Sequence, residues 1–125
     1  MSEIVRDTTQ IPYFSQGEGK AFKVVADAQN ATVGKGFIDP GQSLPAHRHP
    51  NEQIGYVLSG QCDLIVEGEK HFVKAGCTYY IPPNQWHIWA NNGIERFAYI
   101  DIFTPRREDL RSGKYDPETK ETEKD

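Results

Sequence analysis

The chain has 125 residues, 37% of them apolar and 26% charged, which is one domain's worth and enough to bury roughly two-thirds of its unfolded surface without covalent staples. A formal charge of -4 and a pI near 5.5 argue against a nucleic-acid partner, because phosphates need a basic face. No window approaches the ~18 uninterrupted apolar residues of a membrane span, and the opening MSEIVRDTTQ lacks the basic lead and apolar core of a secretory signal, so the expected location is the cytoplasm.

In that reducing compartment Cys62 and Cys77 read as ordinary thiols. Residues 1–20 form an N-terminal arm whose β-prone run IVRDTTQIPYF is suited to crossing to a second copy, so a homodimer is expected. Residues 21–105 are the expected barrel. Its first strands, AFKVVADA and TVGKGFID, flank a turn at Gln29-Asn30, and EQIGYVL runs up to Gly60. Gly60, Gly68, Gly76, Asn84 and Asn92 then stand eight residues apart, all types that tolerate turn dihedrals. Between them lie the short β-prone runs QCDLIV, KHFVKA, CTYYIP and WHIWA, and Asn92-Gly93 signals a hairpin into IERFAYIDIF. Short strands at this spacing indicate an all-β barrel or sandwich. TPRREDLRSG reads as one short helix with Thr104 as N-cap, Pro105 in the first position and Gly113 as the stop. Residues 106–125 thus comprise the helix and a polar tail.

Four side chains in this layout suit a metal ion. In a strand, residues i and i+2 share a face, so His47 and His49 can converge. Gln53 shares their parity, although Pro50 can shift the register and bring the adjacent Glu52 in; His87 comes from a separate strand. His71 reads as a surface histidine. The order and spacing resemble the two motifs of the cupin superfamily. The first, G(X)5HXH(X)3-4E(X)6G, is met by Gly41, His47, His49, Gln53 and Gly60; the second, G(X)5PXG(X)2H(X)3N, by Gly76, Pro82, Asn84, His87 and Asn91. Asn84 stands for a motif glycine and Gln53 for the motif acid. The resemblance implies a double-stranded β-helix, or jelly-roll barrel, holding one divalent metal (Zn, Ni, Fe, Mn or Co) through His47, His49, Gln53 and His87, with no organic cofactor. A neutral amide in place of the acid leaves the ion's charge uncompensated, which strengthens it as a Lewis acid.

A second cluster lies on the last strand, where Phe97, Tyr99, Asp101 and Phe103 share one parity. Facing inward, Asp101 would be an acid in an apolar pocket and a candidate proton shuttle; facing outward, it would be a solvated side chain. Arg106 and Arg107 fall in the first turn of the expected helix, where the macrodipole disfavours cations. Arg107 is therefore either a clamp for a substrate carboxylate or half of a surface pair with Glu108 or Asp109. The run DIFTPRRED, with HPNEQIGYVLSG around Gln53, resembles the pectin-degradation cupins, which convert 4,5-unsaturated monouronates to the linear keto form, and more distantly a cupin-fold polyketide cyclase. That resemblance implies catalytic roles for Asp101 and Arg107 and a pocket shaped by Phe103, Tyr79, Trp86 and Trp89, taking a small anionic substrate. A cyclase or isomerase, a metal-dependent dioxygenase and a non-catalytic sugar-binding module remain alternatives.

Overall fold

Alternation of inward and outward residues decides which side of each strand is buried, and the burial of this chain follows it closely. The computed structural model describes residues 4–111 and 118–119. A short 3-10 turn at Thr8–Gln10 precedes β1 (Phe14–Gly17), β2 (Lys20–Asp27), β3 (Thr32–Ile38), β4 (Ser43–Arg48), β5 (Glu52–Ser59) and β6 (Gln61–Val66). Then come β7 (Glu69–Lys74), β8 (Thr78–Ile81), β9 (His87–Ala90), β10 (Phe97–Thr104), α1 (Glu108–Arg111) and β11 (Glu118–Thr119).

The strands form a six-stranded sheet in the order β1-β2-β3-β10-β5-β8 and a five-stranded sheet in the order β11-β4-β9-β6-β7. After β3 the chain crosses between the sheets at nearly every connection, the pattern of a jelly roll. The expected all-β class is borne out. β1, read as part of an arm, pairs with β2 at the edge of its own sheet. Among the described residues no helix is long and apolar enough to cross a membrane. Both cysteines are free thiols.

Left-handed turn residues underlie the eight-residue rhythm. Glu67 and Gly68 take φ values of 47° and 82° in the two-residue turn between β6 and β7, the left-handed pair that such a hairpin requires. Asn84 takes φ 63°, so the residue standing for a motif glycine adopts the glycine-like conformation that asparagine tolerates best.

Two local expectations fail. Asn92-Gly93 makes no hairpin, because β9 and β10 lie in different sheets. The buried Asn91 side chain sets this crossing instead: its Nδ2 donates to Ile38 O and Glu95 O at 2.8 and 2.9 Å, and its Oδ1 accepts from Gly93 N at 2.9 Å. Nor is Thr104 an N-cap. It ends β10, paired with Glu52 of β5, and its hydroxyl donates to Glu52 Oε2 at 2.9 Å. The strand therefore runs through the position assigned to the cap, and Pro105, Arg106 and Arg107 all precede the four-residue α1. Gly113 lies outside the described residues.

Ile38, Val57, Ile81 and Phe97, all 0% exposed, anchor the core between the sheets; each such side chain contributes roughly 1.5–3 kcal/mol by leaving water. Toward the other end the lining turns polar, and aromatic rings fill the transition. Trp89 lies parallel to Tyr99 at 6.2 Å and meets Tyr79 edge-on at 4.8 Å. Glycines make the rings fit. A Cβ on Gly34 would fall 1.9 Å from Phe22 Cζ. Gly34→Ala is therefore expected to lower the unfolding free energy by about 1–3 kcal/mol, read as a lower midpoint in urea; an unchanged midpoint would mean that Phe22 does not pack there.

Candidate metal centre

The polar end of the interior is built by three strands and the turns beside them. β4 carries a register irregularity between Leu44 and His47. Leu44 and Ala46 are buried, and His47 directly after them is buried too, so the irregularity switches the inward parity from even to odd residues. His47 and His49 consequently face the interior together. Past Pro50, β5 starts with Gln53 inward, 3% exposed. Glu52 points the other way, where it accepts from Tyr80 Oη at 3.1 Å and Thr104 Oγ1 at 2.9 Å. It takes no part in the site. His87 opens β9 directly across from His47, with ring centroids 4.1 Å apart. One ligating atom from each of the three histidines lies within 4.8 Å of the others.

The tautomers follow from the hydrogen bonds. Nδ1 of His47, His49 and His87 donates to the carbonyls of Pro45, Asn51 and Gln85 at 2.8, 3.1 and 2.8 Å. In a neutral ring this makes Nε2 the acceptor. Nε2 of His87 is buried without a hydrogen-bond partner. Nε2 of His49 faces Gln53 Oε1 at 3.1 Å, so two lone pairs meet where a donor is needed. This donor set fits a cation: uncharged nitrogen and oxygen atoms whose outer nitrogens are held by carbonyls, the usual arrangement behind ligating imidazoles. Burial pushes the His49 pKa down to about 3 and that of His87 down to about 4, and holds that of His47 well below its ordinary value, with the neighbouring His87 adding to the effect. All three rings are neutral at pH 7, the form a metal requires.

Beside the triad lies Asp101, 4% exposed. β10 buries Phe97, Tyr99, Asp101 and Phe103 in strict alternation, so the inward parity read from the sequence is the observed one. Asp101 pairs in register with Gly34 on one side and Gly55 on the other. Its carboxylate accepts from the Tyr79 hydroxyl and from the Gln53 side chain. Burial pushes its pKa up to about 7, against the downward pull of those two bonds and of the Arg107 charge.

Arg107 is not a surface cation. Its side chain is 3% exposed and pairs with Asp109 through Nη2–Oδ2 at 2.6 Å and Nε–Oδ1 at 3.1 Å, with the guanidinium 4.9 Å over the Phe103 ring. Because it precedes α1, the helix-dipole argument does not apply to it.

A narrow cavity joins His47 of the triad to Asp101 and Arg107. His47, Gln53, Asp101 and Arg107 line it together with Phe103, Trp89, Phe22, Tyr99 and Leu44, while Gln16 of β1 and Leu110 of α1 complete the wall. Tyr79 stands behind Asp101. Trp86 is outside the lining, half-buried under the Arg48 guanidinium at 4.4 Å, and His71 is exposed beside Glu69 at 3.1 Å. Sequence reasoning missed Gln16, Asn51, Gly55 and Leu110. Only Gly55 carried a signal, a glycine on the inward parity of a strand, which marks a close approach.

These pKa shifts set the acid stability of the metal-free protein. Between about pH 4 and 6.5 the unfolded chain binds protons that the buried imidazoles refuse, so stability falls on acidification. Asp101 opposes this: below about pH 7 its native carboxyl holds a proton that the unfolded one, with its ordinary value of 3.8, lacks. Asp101→Asn removes the opposing contribution and should steepen the acid loss. Urea denaturation at stepped pH in the presence of a chelator reads it, and an unchanged slope would contradict the raised pKa.

Comparison with known proteins agrees with this fold. A cupin domain model matches residues 34–103. The chain is 28% identical over 102 residues to the pectin degradation protein KdgF of Dickeya dadantii, covering 81% of this chain and 92% of that one. The solved structure of KdgF from Halomonas sp. overlays with a TM-score of 0.76 at 27% identity, over 83% of this chain and 94% of that one. A gentisate 1,2-dioxygenase of Haloferax sp. is 31% identical over 72 residues, 56% of this chain, but the chain spans only 20% of that protein's length. With the matched segment running from β3 through β10 and carrying all three histidines, the chain belongs to the cupin domain family.

Proposed function

We propose that this cupin holds one divalent ion on Nε2 of His47, His49 and His87 and on Oε1 of Gln53, and isomerises 4,5-unsaturated monouronates to linear keto acids. One observation carries the reading: buried acceptor atoms converge where a donor is required, with His87 Nε2 lacking a partner and His49 Nε2 facing Gln53 Oε1. A cation relieves that convergence at low cost, since the rings are neutral. With no charged ligand, a bound ion keeps its full charge and polarises a hydroxyl or carbonyl oxygen of the substrate. The similarity to KdgF and the DIFTPRRED run support the substrate class.

The reaction balances without water or redox change. Asp101 takes the proton from the anomeric hydroxyl. The bond between C1 and the ring oxygen breaks, leaving an aldehyde at C1 and an enolate at C5. Protonation at C4 by Asp101 then gives the ketone. A pKa near 7 suits a group that takes up and returns a proton at neutral pH. Arg107, on the same cavity wall, holds the substrate carboxylate; Phe103 and Trp89 pack against the sugar ring. Cytoplasmic location and homodimer formation belong to the same reading, and the edge strands β1, β7 and β8 offer unpaired flanks for association.

Zinc-loaded protein incubated with the unsaturated uronate under nitrogen should remove the ultraviolet absorbance of the conjugated double bond faster than the spontaneous reaction does. A chelator should abolish the acceleration, and metal-saturated Asp101→Asn should lower kcat roughly 10²–10⁴-fold. No acceleration by loaded protein would overturn the substrate; full activity of Asp101→Asn would overturn the proton role.

A further inference from the structure

Gln53 poses a problem that the three imidazoles do not. Its amide has two ends of nearly equal size, one accepting and one donating, and only hydrogen bonding chooses between them. On the side of His49 the choice would go the wrong way, because an NH2 group would satisfy the Nε2 acceptor 3.1 Å from the present oxygen position. Something at the far end must hold the nitrogen there. Asp101 does so by accepting a hydrogen bond from the Gln53 side chain. Asp101 is itself held, since the Tyr79 hydroxyl donates to Oδ1.

The geometry points to Tyr79 as a positioning residue: its hydroxyl fixes the Asp101 carboxylate, which holds the Gln53 amide with its oxygen toward the three imidazoles. The inference rests on the metal centre proposed above and adds a residue outside it. Tyr79 acts through Asp101, standing behind it. Its ring is clamped edge-to-face against Trp89 at 4.8 Å and lies over Gly55, where a Cβ would fall 1.9 Å from the ring Cζ. Gly55 is two residues from Gln53 on the inner face of β5 and directly opposite Asp101. The missing side chain at 55 is the space through which the phenol reaches the carboxylate. Gly55, Tyr79, Asp101 and Gln53 form one chain of contacts that ends at the ligand oxygen.

Cobalt(II) serves as the probe, titrated into metal-free protein against a competing chelator and followed by its visible spectrum. Tyr79→Phe keeps the ring and removes only the hydroxyl; it should weaken cobalt binding about 10-fold, the lower end of what outer-shell partners contribute, and shift the visible bands. In a Gln53→Ala background the same substitution should cost nothing, because no amide remains to orient. Wild-type affinity and spectrum in Tyr79→Phe would overturn the inference, as would an equal loss in the Gln53→Ala background, which would make Tyr79 a general support of the fold. Wild-type protein that binds no cobalt would overturn the metal centre itself, and the inference with it.

Discussion

Three hydrogen bonds from imidazole Nδ1 to backbone carbonyls are the constraint on which the rest of the site depends. Each runs to a residue two positions away, from His47 to Pro45, from His49 to Asn51 and from His87 to Gln85. Each fixes a tautomer and turns an Nε2 lone pair inward. Burying an acceptor without a donor, as at His87 Nε2, is unfavourable, so the arrangement persists because the surrounding barrel determines it. The irregularity in β4 supplies the parity that brings His47 in line with His49, and antiparallel pairing of β4 with β9 sets His87 opposite His47. The candidate ligands come from separate stretches, yet their geometry is a matter of local backbone.

A second layer stands on the opposite sheet. β10 lies between β3 and β5, so Asp101 is flanked by backbone on both sides, and at both flanking positions the residue is glycine. Those gaps admit Phe22 and Tyr79. They also keep Asp101 out of water, which raises its pKa toward neutrality. Arg107 faces the same low-dielectric space, where paired bonds to Asp109 hold its guanidinium. Removing one partner of such a pair costs more than the pair contributes, so α1 is tied to the cavity wall by an interaction that the fold cannot readily give up.

Much of this was legible in the sequence because it depends on short periods. The i, i+2 spacing of His47 and His49, the parity of β10 and the eight-residue turn interval all express strand geometry, and each reappears in the structure. Gln53 rather than Glu52 faces inward because β5 resumes the odd parity past Pro50, a register that the sequence left open. What failed to show depends on distant partners. Asn92-Gly93 has the local chemistry of a hairpin, but the bonds of Asn91 to Ile38 and Glu95 override it. Thr104 and Pro105 look like a helix start, but pairing with Glu52 extends the strand. Trp86 alternates with His87 and so turns outward, beneath Arg48. Gly55, a glycine on the inward parity of β5, marks a close approach, but no pattern along β5 names the Tyr79 ring from β8 that fills the space.

The proposed centre is tested most directly by the nitrogen resonances of the three imidazoles, recorded by 15N NMR before and after one equivalent of zinc. The predicted result is Nδ1-protonated, Nε2-unprotonated rings at His47, His49 and His87 in the metal-free protein, with all three Nε2 signals shifting together on zinc addition while Nδ1 stays protonated. An Nε2-protonated ring at any of the three positions, or Nε2 signals that ignore the metal, would contradict it.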